Sequence, residues 1–403
     1  MPALSITPDL IREALAGKGA RSAPGSDNVT YGQLRSGGSL FLKRLASIFS
    51  KILDPEDPLQ IPPEWTTIRV RMIHKGKGKD PALWDSFRPI SISSCIGKLF
   101  NAIIERQLYK HVIDEDLLDT AVQKGFLRRV SGVTDQIQSF WNCAQSVSAN
   151  NKSLHAVLID FASAFNTVPH YKLWLLLERY GVHEHVIKYI KALYSQSTMS
   201  IKTTKFSTEP VPVRQGVLQG DTLSPLLFII YFTIVIQAAK HKNLGGFSAP
   251  SGLPPSPDQP PHIKHLLKAF ADDLTIFDES ADGVRETWKR FMKGVEFAEL
   301  RINYSKCRHI EIGLHGTPKK PSTDFQISEG TTILSGPEHL TPFLGLDYTL
   351  ARTVGSDHGL RKFLSTMMEK LLSRIDACNY PVQAKLFFYK VGVISRLLVL
   401  HDL

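Results

Sequence analysis

Alternating apolar and polar positions predict a hairpin early in the chain, followed by a helix. Residues 65–80, WTTIRVRMIHKGKGKD, alternate apolar and basic side chains and end in Gly/Lys turn chemistry, so they predict a strand that enters a hairpin. Residues 87–94, FRPISISS, predict the returning strand. Apolar residues at helical spacing then predict a helix over about 96–112.

Two later apolar stretches carry carboxylates where a buried strand would not tolerate them unpaired. SLHAVLIDFASAF, residues 153–165, begins as a β-branched strand and predicts a turn into helix after Asp160. HLLKAFADDLTIF, residues 265–277, predicts strand, tight turn and strand, with Asp272 and Asp273 at the turn. Successive side chains of a strand point to opposite faces, so a hairpin tip is where two adjacent aspartates could face one point. Helix capping is the alternative role for Asp160.

Composition narrows the class of protein without deciding its function. The 403 residues are 43% hydrophobic and 21% charged, as in a folded globular protein, and the formal charge of +10 mildly favours a polyanionic partner. The four cysteines are scattered without zinc-ligand spacing, which favours a reducing intracellular compartment. The most apolar run, residues 224–241, is shorter than the ~20 residues of a membrane span, so we expect no membrane association and a buried helix.

Three carboxylates suit a site for two Mg²⁺ ions. Magnesium prefers oxygen ligands, takes few of them from protein and completes its shell with water and substrate phosphates. Two such ions about 4 Å apart stabilise the attacking and the leaving oxygen of an in-line phosphoryl displacement. The sequence alone does not place Asp160 near Asp272 and Asp273, but other stretches supply the rest of such a site, for which Mg²⁺ is the expected cofactor and Mn²⁺ its substitute.

Two further stretches fit a nucleotide substrate, although each also has a structural interpretation. VRQGVLQGDTLSPLLF, residues 213–228, places Gln219 and Gly220 before a helix, where glycine lets the backbone approach a ligand closely. A plain loop before a helix is the alternative. Basic side chains on the first hairpin suit a metal-bound triphosphate, and the alternative is a solvated charged hairpin.

Taken in their order along the chain, these motifs resemble those of reverse transcriptases of the non-LTR (LINE-like) retrotransposon group. The resemblance covers most of the chain, from about Pro24. LIDFASAF, LQGDTLSPLLF and FADD resemble polymerase motifs A, B and C, and KGKGKDPALWDSFRPISISSCIGKLF resembles the two fingers motifs. LRINYSKC and PFLGLDY resemble motif D and the primer-grip motif E, and APGSDNVTYGQL is similar to the segment that precedes the fingers. Many relatives have Lys-Ala-Phe-Asp in motif A where this chain has SAFN.

The resemblance implies a role for each matching residue. Asp160, Asp272, Asp273 and the backbone carbonyl of Phe161 would ligate the metals, with Asp273 in a supporting role, and Lys306 would be the general acid for pyrophosphate. The nucleotide-binding residues would be Lys75, Arg88, Phe165, Gln219 and Gly220. The residues that contact primer and template would be Phe343, Leu344, Gly345, Arg71 and Lys77. Phe165, as an aromatic gate, would exclude the ribose 2′-OH and so favour deoxynucleotides over ribonucleotides.

The resemblance also implies an α+β right-hand polymerase fold, with fingers, a palm built on a small antiparallel sheet and a partial helical thumb. The expected divisions are 1–60 as an N-terminal extension, 61–150 as fingers, 151–350 as palm with loops or insertions at 182–212 and 242–264, and 351–403 as partial thumb. The chain stops at RLLVLHDL with the thumb only begun. We therefore expect a polymerase fragment or a degenerate reading frame, with endonuclease or other element domains encoded in flanking sequence.

The function that follows is an RNA-directed DNA polymerase that acts on an RNA template, a DNA or RNA primer and dNTPs in the nucleus or cytoplasm. Two alternatives stay open: a catalytically inactive or domesticated nucleic-acid-binding protein that keeps the fold, and a group II intron-type reverse transcriptase without its maturase domain. A viral RNA polymerase conflicts with Phe165, since those enzymes usually carry a second aspartate there. A metal phosphoesterase would not need the Gln-Gly loop.

Overall fold

We analysed a computed structural model, which describes residues 1, 4–20, 22–76, 78–150, 152–203, 206–250, 262–313, 325–335, 342–343 and 346–347. The chain divides into two compact units, each assembled from separate stretches of sequence. Unit 1 comprises Met1–Asp119, Ser163–Ile234 and Glu296–Leu300. Unit 2 comprises Thr120–Ala162, Val235–Val295 and Arg301–Leu403.

Unit 1 combines helices with one four-stranded sheet in the order β2-β1-β4-β5. Strands β1 and β2 form the predicted antiparallel hairpin, with Arg71 opposite Ile90, and β4 runs parallel to β1. Its helices are α1 (Pro8–Ala16), α2 (Tyr31–Ser36), α3 (Ser39–Ile52), α4 (Pro63–Thr66), α5 (Cys95–Asp114), α7 (Ala164–Thr167), α8 (His170–Arg179), α9 (Glu184–Gln196) and the first part of α10 (Ser224–Lys240). Its strands are β1 (Thr67–His74), β2 (Phe87–Ile92), β4 (Thr198–Ile201) and β5 (Val211–Pro212), with a short 3-10 helix at Trp84–Ser86.

Unit 2 is built on a six-stranded sheet in the order β11-β12-β10-β3-β9-β8. Strand β3 pairs antiparallel with β10 on one side and with β9 on the other, and β9 pairs antiparallel with the edge strand β8. Its helices are α6 (Gly132–Asn150), the end of α10 and most of α11 (Ala281–Phe297). Its strands are β3 (Leu154–Ile159), β6 (Phe247–Pro250), β7 (His262–His265), β8 (Leu267–Phe270), β9 (Asp273–Asp278), β10 (Arg308–Ile312), β11 (Phe325–Ser328), β12 (Thr331–Ser335), β13 (Pro342–Phe343) and β14 (Leu346–Asp347).

The core of unit 2 explains why β3 has no polar residue before Asp160 apart from His155. All six residues of β3 are buried, and Leu154, Ala156 and Leu158 join Phe277 and Ile310 in one apolar cluster. Burying such side chains stabilises the fold by roughly 1.5–3 kcal/mol each. The strand therefore has a fixed register, and that register sets where its polar end lies.

The predicted α+β class is confirmed, and so are the hairpin at 67–92, the helix after it and the strand-turn-strand at 267–278. The prediction of a loop or insertion over 182–212 is wrong for its first half, because residues 184–196 form α9. Its apolar residues recur at helical spacing and are buried, including Val186, Ile190 and Leu193. The insertion at 242–264 contains the paired strands β6 and β7. The predicted thumb, 351–403, lies outside the described residues.

Within the described residues, no helix is both long enough and apolar enough to cross a membrane.

Candidate active site

The hairpin of β8 and β9 in unit 2 places Asp272 in a two-residue turn and Asp273 at the first position of β9. Phe270 pairs with Asp273, which leaves only Ala271 and Asp272 between the strands. Ala271 has φ of 56°, in the left-handed region that a residue with a side chain seldom occupies. Asp272 is half-buried and Asp273 exposed. The turn thus presents two carboxylates at one end of the sheet.

The side chain of Gln123 holds this turn. Its amide group donates to the carbonyl of Ala271 (3.0 Å) and accepts from the N–H of the same residue (2.8 Å) and from the N–H of Gly125 (2.8 Å). Gln123 is 1% exposed, so these backbone groups have a partner where water does not reach them. The clamp offsets the cost of the left-handed conformation, which is of order 1–3 kcal/mol at a non-glycine residue.

Asp160 lies beside the turn because of the pairing of β3 with β9. Ile159, the last residue of β3, pairs with Leu274, so Asp160, which follows the strand, comes level with Asp273. The backbone of this end of β3 is also bound to residues 301–303: Asn303 N–H donates to the Asp160 carbonyl and Ala162 N–H to the Arg301 carbonyl, both at 2.8 Å. These bonds flank Phe161, whose side chain is buried. The predicted convergence of Asp160 with the Asp-Asp pair is therefore observed.

The proximity of the carboxylates raises the pKa of two of them. Partial burial and repulsion from Asp160 raise the pKa of Asp272, while its own backbone N–H and the charge of Lys306 oppose that shift. Partial burial, together with repulsion from Asp272 and Asp160, raises the pKa of Asp273 to about 6. Because the Asp273 side chain is exposed, burial alone is a weak explanation, and the repulsion is the firmer cause.

Lys306 is a cation in direct contact with this group. Its Nζ lies 3.2 Å from Oδ2 of Asp160 and donates a hydrogen bond to it. Lys306 is in the turn between residues 301–303, which bind the backbone around Asp160, and strand β10. More than half of its side chain is exposed. The predicted general acid is thus brought to the carboxylates.

The residues present fit a divalent cation of the Mg²⁺ type. All the candidate ligand atoms are oxygens, and their mutual repulsion means that a cation is favoured electrostatically. In the described part of the chain, no group of three or more His, Cys, Asp or Glu side chains is arranged so that it could hold a metal ion by itself. Mg²⁺ does not require one, since it keeps several waters and is held by one or two carboxylates plus substrate phosphates.

In unit 1, the segment 214–221, which we name the Gln-Gly loop, connects the predicted gate to the predicted nucleotide pocket. Val217 N–H donates to the carbonyl of Phe165 (2.8 Å), and the Phe165 ring stacks on Phe228 with centroids 4.1 Å apart. Ser91 N–H, on β2, donates to the carbonyl of Gln219 (2.6 Å). Gly220 has φ of 112°, and a Cβ there would lie 2.6 Å from the Ser91 carbonyl oxygen. Glycine at this position is therefore required by both conformation and space.

The basic residues of the first hairpin lie on the surface of unit 1. Arg71, Lys75 and Arg88 are exposed, and Lys75 N–H donates to the Ser86 carbonyl, which closes the end of the hairpin. Phe343 lies in β13, a strand of unit 2. The remaining predicted contacts with primer and template, Lys77, Leu344 and Gly345, lie outside the described residues.

Comparison with known proteins decides the family. Residues 73–346, more than half of the chain, match the family described as "Reverse transcriptase (RNA-dependent DNA polymerase)". The chain belongs to the reverse transcriptase family. The right-hand polymerase fold of reverse transcriptases, as predicted, is the fold of this chain, and the prediction of a non-LTR retrotransposon reverse transcriptase domain is confirmed.

The relatives of this chain are distant, but the matches cover most of its length. It is 25% identical over 94% of its length to the "Retrovirus-related Pol polyprotein from type-1 retrotransposable element R2" of Popillia japonica, of which it covers 49%. It is 24% identical over 77% of its length to the "RNA-directed DNA polymerase from mobile element jockey" of Drosophila melanogaster, of which it covers 32%. The chain thus spans about half or less of these relatives.

Among solved structures, telomerase of Candida tropicalis in complex with a TWJ fragment of telomeric RNA matches with a TM-score of 0.44 and 12% identity. That match covers 85% of this chain and 53% of the telomerase chain. A similarity of this size adds nothing to the assignment, which rests on the family match.

Three residues whose hydrogen bonds fix the β8–β9 turn or the end of the Gln-Gly loop were not predicted from the sequence: Gln123, Asn101 and Asp221. Gln123 binds a turn almost 150 residues away, and Asn101 donates to Asp221 across 120 residues of chain. Nothing in the periodicity of either segment marks such a contact. For Asp221 a signal existed, since an acid directly after the Gln-Gly pair and before an apolar helix needs a partner.

Proposed function

We propose that this chain is an RNA-directed DNA polymerase that adds deoxynucleotides to a primer 3′-OH on an RNA template. One observation supports this proposal above the others: Asp160, Asp272 and Asp273 converge at the ends of two adjacent antiparallel strands. These are the carboxylates of motifs A and C. The alternative of a metal-independent binding protein gives no physical reason to gather mutually repelling charges at one point.

The proposed roles in unit 2 follow from chemistry and position. Asp160 and Asp272, with the Phe161 carbonyl, would hold Mg²⁺, and Asp273 would assist. When bound, two Mg²⁺ ions would polarise the primer hydroxyl and neutralise charge on the departing pyrophosphate. Lys306 would donate a proton to the pyrophosphate, a role that the contact of its Nζ with Asp160 Oδ2 supports.

The proposed roles in unit 1 concern the incoming dNTP. Lys75 and Arg88 would bind its phosphates through charge-assisted hydrogen bonds. Gln219 and Gly220 would line the pocket, with Gly220 bringing the loop backbone against the Ser91 carbonyl. We propose Arg71 and Lys77, with Phe343, Leu344 and Gly345, as contacts for template and primer. Binding of the nucleic acid would then weaken with salt.

The fingers, palm and thumb divisions at 61–150, 151–350 and 351–403 belong to the same proposal. So do the setting in the nucleus or cytoplasm and the need for further element domains such as an endonuclease. The +10 charge supports the nucleic-acid partners.

Primer extension on an RNA template with dNTPs and Mg²⁺ tests the activity. We expect product from the wild type. In Asp272→Asn the rate of extension should fall at least about 10³-fold, since a proposed ligand of the metal ions loses its charge. Asp278→Asn is the matched control at the far end of strand β9, which follows Asp272, because Asp278 accepts from Gly246 N–H and Ser280 N–H and so is structural. Its effect should be on stability. RNA binding without extension by the wild type would mark an inactive binding protein instead.

Phe165→Ala tests the choice of sugar. We expect discrimination against ribonucleotides to fall by about 10–100-fold, because the ring that would exclude the 2′-OH is gone. The ratio of kcat/KM for a dNTP to that for the matching NTP is the measurement. Phe228→Leu removes the ring against which Phe165 stacks but leaves Phe165 itself, so a smaller change is expected there. Unchanged selectivity in Phe165→Ala would exclude the gate.

A further inference from the structure

Asp221, the residue after Gly220, lies in a buried hydrogen-bonded network in unit 1. It is 8% exposed, and both of its carboxylate oxygens are used. Oδ2 accepts from Nδ2 of Asn101 on α5 (2.9 Å), and Oδ1 accepts from the N–H of Leu223 (2.9 Å). The Tyr189 hydroxyl, on α9, donates to Oδ1 of Asn101 (2.6 Å). A buried carboxylate is tolerated when its oxygens are satisfied in this way.

The charges around Asp221 also come from elements that do not line the predicted pocket. Lys98 of α5 and Lys18, which follows α1, both favour the ionised form of Asp221. Burial favours the neutral form instead: it raises the pKa of Asp221 and is the larger effect. Lys18 precedes the part of the chain that matches the reverse transcriptase family. Lys18, in the N-terminal part of this chain, thus contributes to the electrostatic environment of Asp221.

The hydrogen bonds of the Gln-Gly loop show what Asp221 can do. The loop is bound through Val217 to the Phe165 carbonyl and through Gln219 to Ser91 of β2. Just beyond Asp221, the Thr222 hydroxyl donates to the Lys98 carbonyl (3.0 Å). The Asp221 side chain, through its bonds to Asn101 and Leu223, anchors the end of the loop at which Gln219 and Gly220 lie.

We infer that Asp221 is a positioning residue, which, through Asn101 and Tyr189, holds the Gln-Gly loop in the conformation that binds the incoming deoxynucleotide. This inference rests on the proposed polymerase function for its ligand. Asp221 touches no reacting atom in this assignment, because its oxygens are already occupied by protein donors. Its loss should weaken nucleotide binding more than it slows the chemical step.

An exchange of the two side chains separates positioning from direct contact with substrate or metal. In Asp221→Asn, an amide donor faces the Nδ2 donor of Asn101. In the double variant Asn101→Asp/Asp221→Asn, the carboxylate at position 101 would accept from Tyr189 and from the amide group at position 221, whose oxygen would accept from Leu223. The net charge and the number of hydrogen bonds are then those of the wild type. A metal ligand or a substrate contact would not be restored by moving the carboxylate to position 101.

For Asp221→Asn we expect the KM for dNTP in primer extension to rise about tenfold and kcat to change less than about threefold, as for loss of one buried charged hydrogen bond. The exchanged double variant should recover most of that loss. Tyr180→Phe is the matched control, since it breaks a buried hydrogen bond in the same unit, to Thr233 at 2.8 Å, outside the network. A wild-type KM in Asp221→Asn, or no recovery in a folded double variant, would overturn the inference.

Tryptic cleavage after Arg214 gives a readout that does not depend on activity. Arg214 is exposed at the start of the Gln-Gly loop, so release of the loop should speed cleavage there by about tenfold in Asp221→Asn, in line with the cost of the lost bond. The exchanged variant should return to the wild-type rate. If the wild type extends no primer, the polymerase proposal fails while this measurement still decides the anchor.

Should the exchanged variant fail to fold, Tyr189→Phe decides the same question with a smaller change. It leaves Oδ1 of Asn101 without its 2.6 Å donor, and we expect cleavage after Arg214 to rise about two- to threefold. Cleavage equal to that of Tyr180→Phe would count against the network.

Discussion

Asp221 and the pair Asp272 and Asp273 have opposite electrostatic surroundings. Asp221 in unit 1 is buried, and protein donors occupy both of its oxygens. Asp272 and Asp273 in unit 2 stand at a hairpin turn, where their neighbours include one another and Asp160. The first arrangement is complete within the protein and stabilises a loop. The second is electrostatically unfavourable as it stands, which is the condition under which a cation is bound.

The comparison teaches that burial and acidity do not identify a catalytic carboxylate. Asp221 has the greater burial of the two groups, yet each of its oxygens already accepts from a protein donor. The carboxylates of the turn are more exposed but repel one another. The property that separates the two groups is what surrounds each carboxylate oxygen: hydrogen-bond donors at Asp221, and other negative charges at Asp272 and Asp273.

The largest effect among tests of this comparison is expected at Lys306, the cation beside Asp160. If Lys306 donates the proton to pyrophosphate, Lys306→Gln should lower kcat by about 10²-fold with little change in KM for dNTP. The measurement is steady-state primer extension. Lys152→Gln is the control in the same unit, because Lys152 pairs with Glu279 at 2.6 Å and has no assigned role.

Lys306→Arg distinguishes proton donation from neutralisation of Asp160. Arginine keeps the positive charge but does not release a proton near neutral pH, since its pKa is above about 12. We expect the rate of this variant to stay low. A wild-type kcat would mean that the Lys306 charge, and not its proton, matters.

A moderate effect is expected from releasing the turn that carries Asp272. Gln123→Leu removes the partner of the Ala271 and Gly125 N–H groups, which costs about 1–3 kcal/mol for each buried donor left unpaired. We expect a lower free energy of unfolding and a kcat reduced about tenfold, as the carboxylate loses its fixed position. Thermal unfolding and primer extension are the measurements.

Gln136→Leu provides the comparison for Gln123. Its Nε2 donates to the carbonyls of Val122 and Ala269, in the same sheet edge but away from the turn. This variant should lose stability while keeping its kcat. Equal losses of kcat in the two variants would show that Gln123 acts only through general stability.

The smallest effect expected is on the pH dependence of stability through Asp273. Its pKa in the fold is about 6 against an ordinary value of 3.8, so the folded protein binds more protons than the unfolded chain between these values. Stability contributed by this group is therefore lost as pH rises from about 4 to about 6. Asp273→Asn lacks that loss, so its Tm should exceed the wild-type Tm by a margin that grows with pH over this window.

Mg²⁺ sharpens the same measurement. A bound cation favours the ionised carboxylates, so it should raise the wild-type Tm at about pH 7 by a few degrees and the Asp273→Asn Tm by less. Melting curves with and without Mg²⁺ test this. A margin between the two proteins that does not vary with pH would contradict the assigned repulsion.

Local patterns were enough to predict the parts of the site that depend on neighbouring residues. The alternation in 265–277 and the polar end of LHAVLID predict the strands, and the strand ends fix Asp160 and Asp272. The Gln123 clamp and the Asn101–Asp221 pair join residues more than a hundred positions apart, so no local period reveals them. Helix α9 was not predicted, although its buried residues keep helical spacing.

The hydrogen bond from Val217 to Phe165 has a consequence for engineering of the polymerase. The ring proposed to select the sugar and the loop proposed to bind the nucleotide are joined by one backbone contact. Under the proposed roles, a change that shifts the backbone at Phe165 would reach the Gln-Gly loop through this bond. Acceptance of modified sugars and nucleotide binding would then be coupled, and libraries that vary Phe165 should vary residues 217–221 with it.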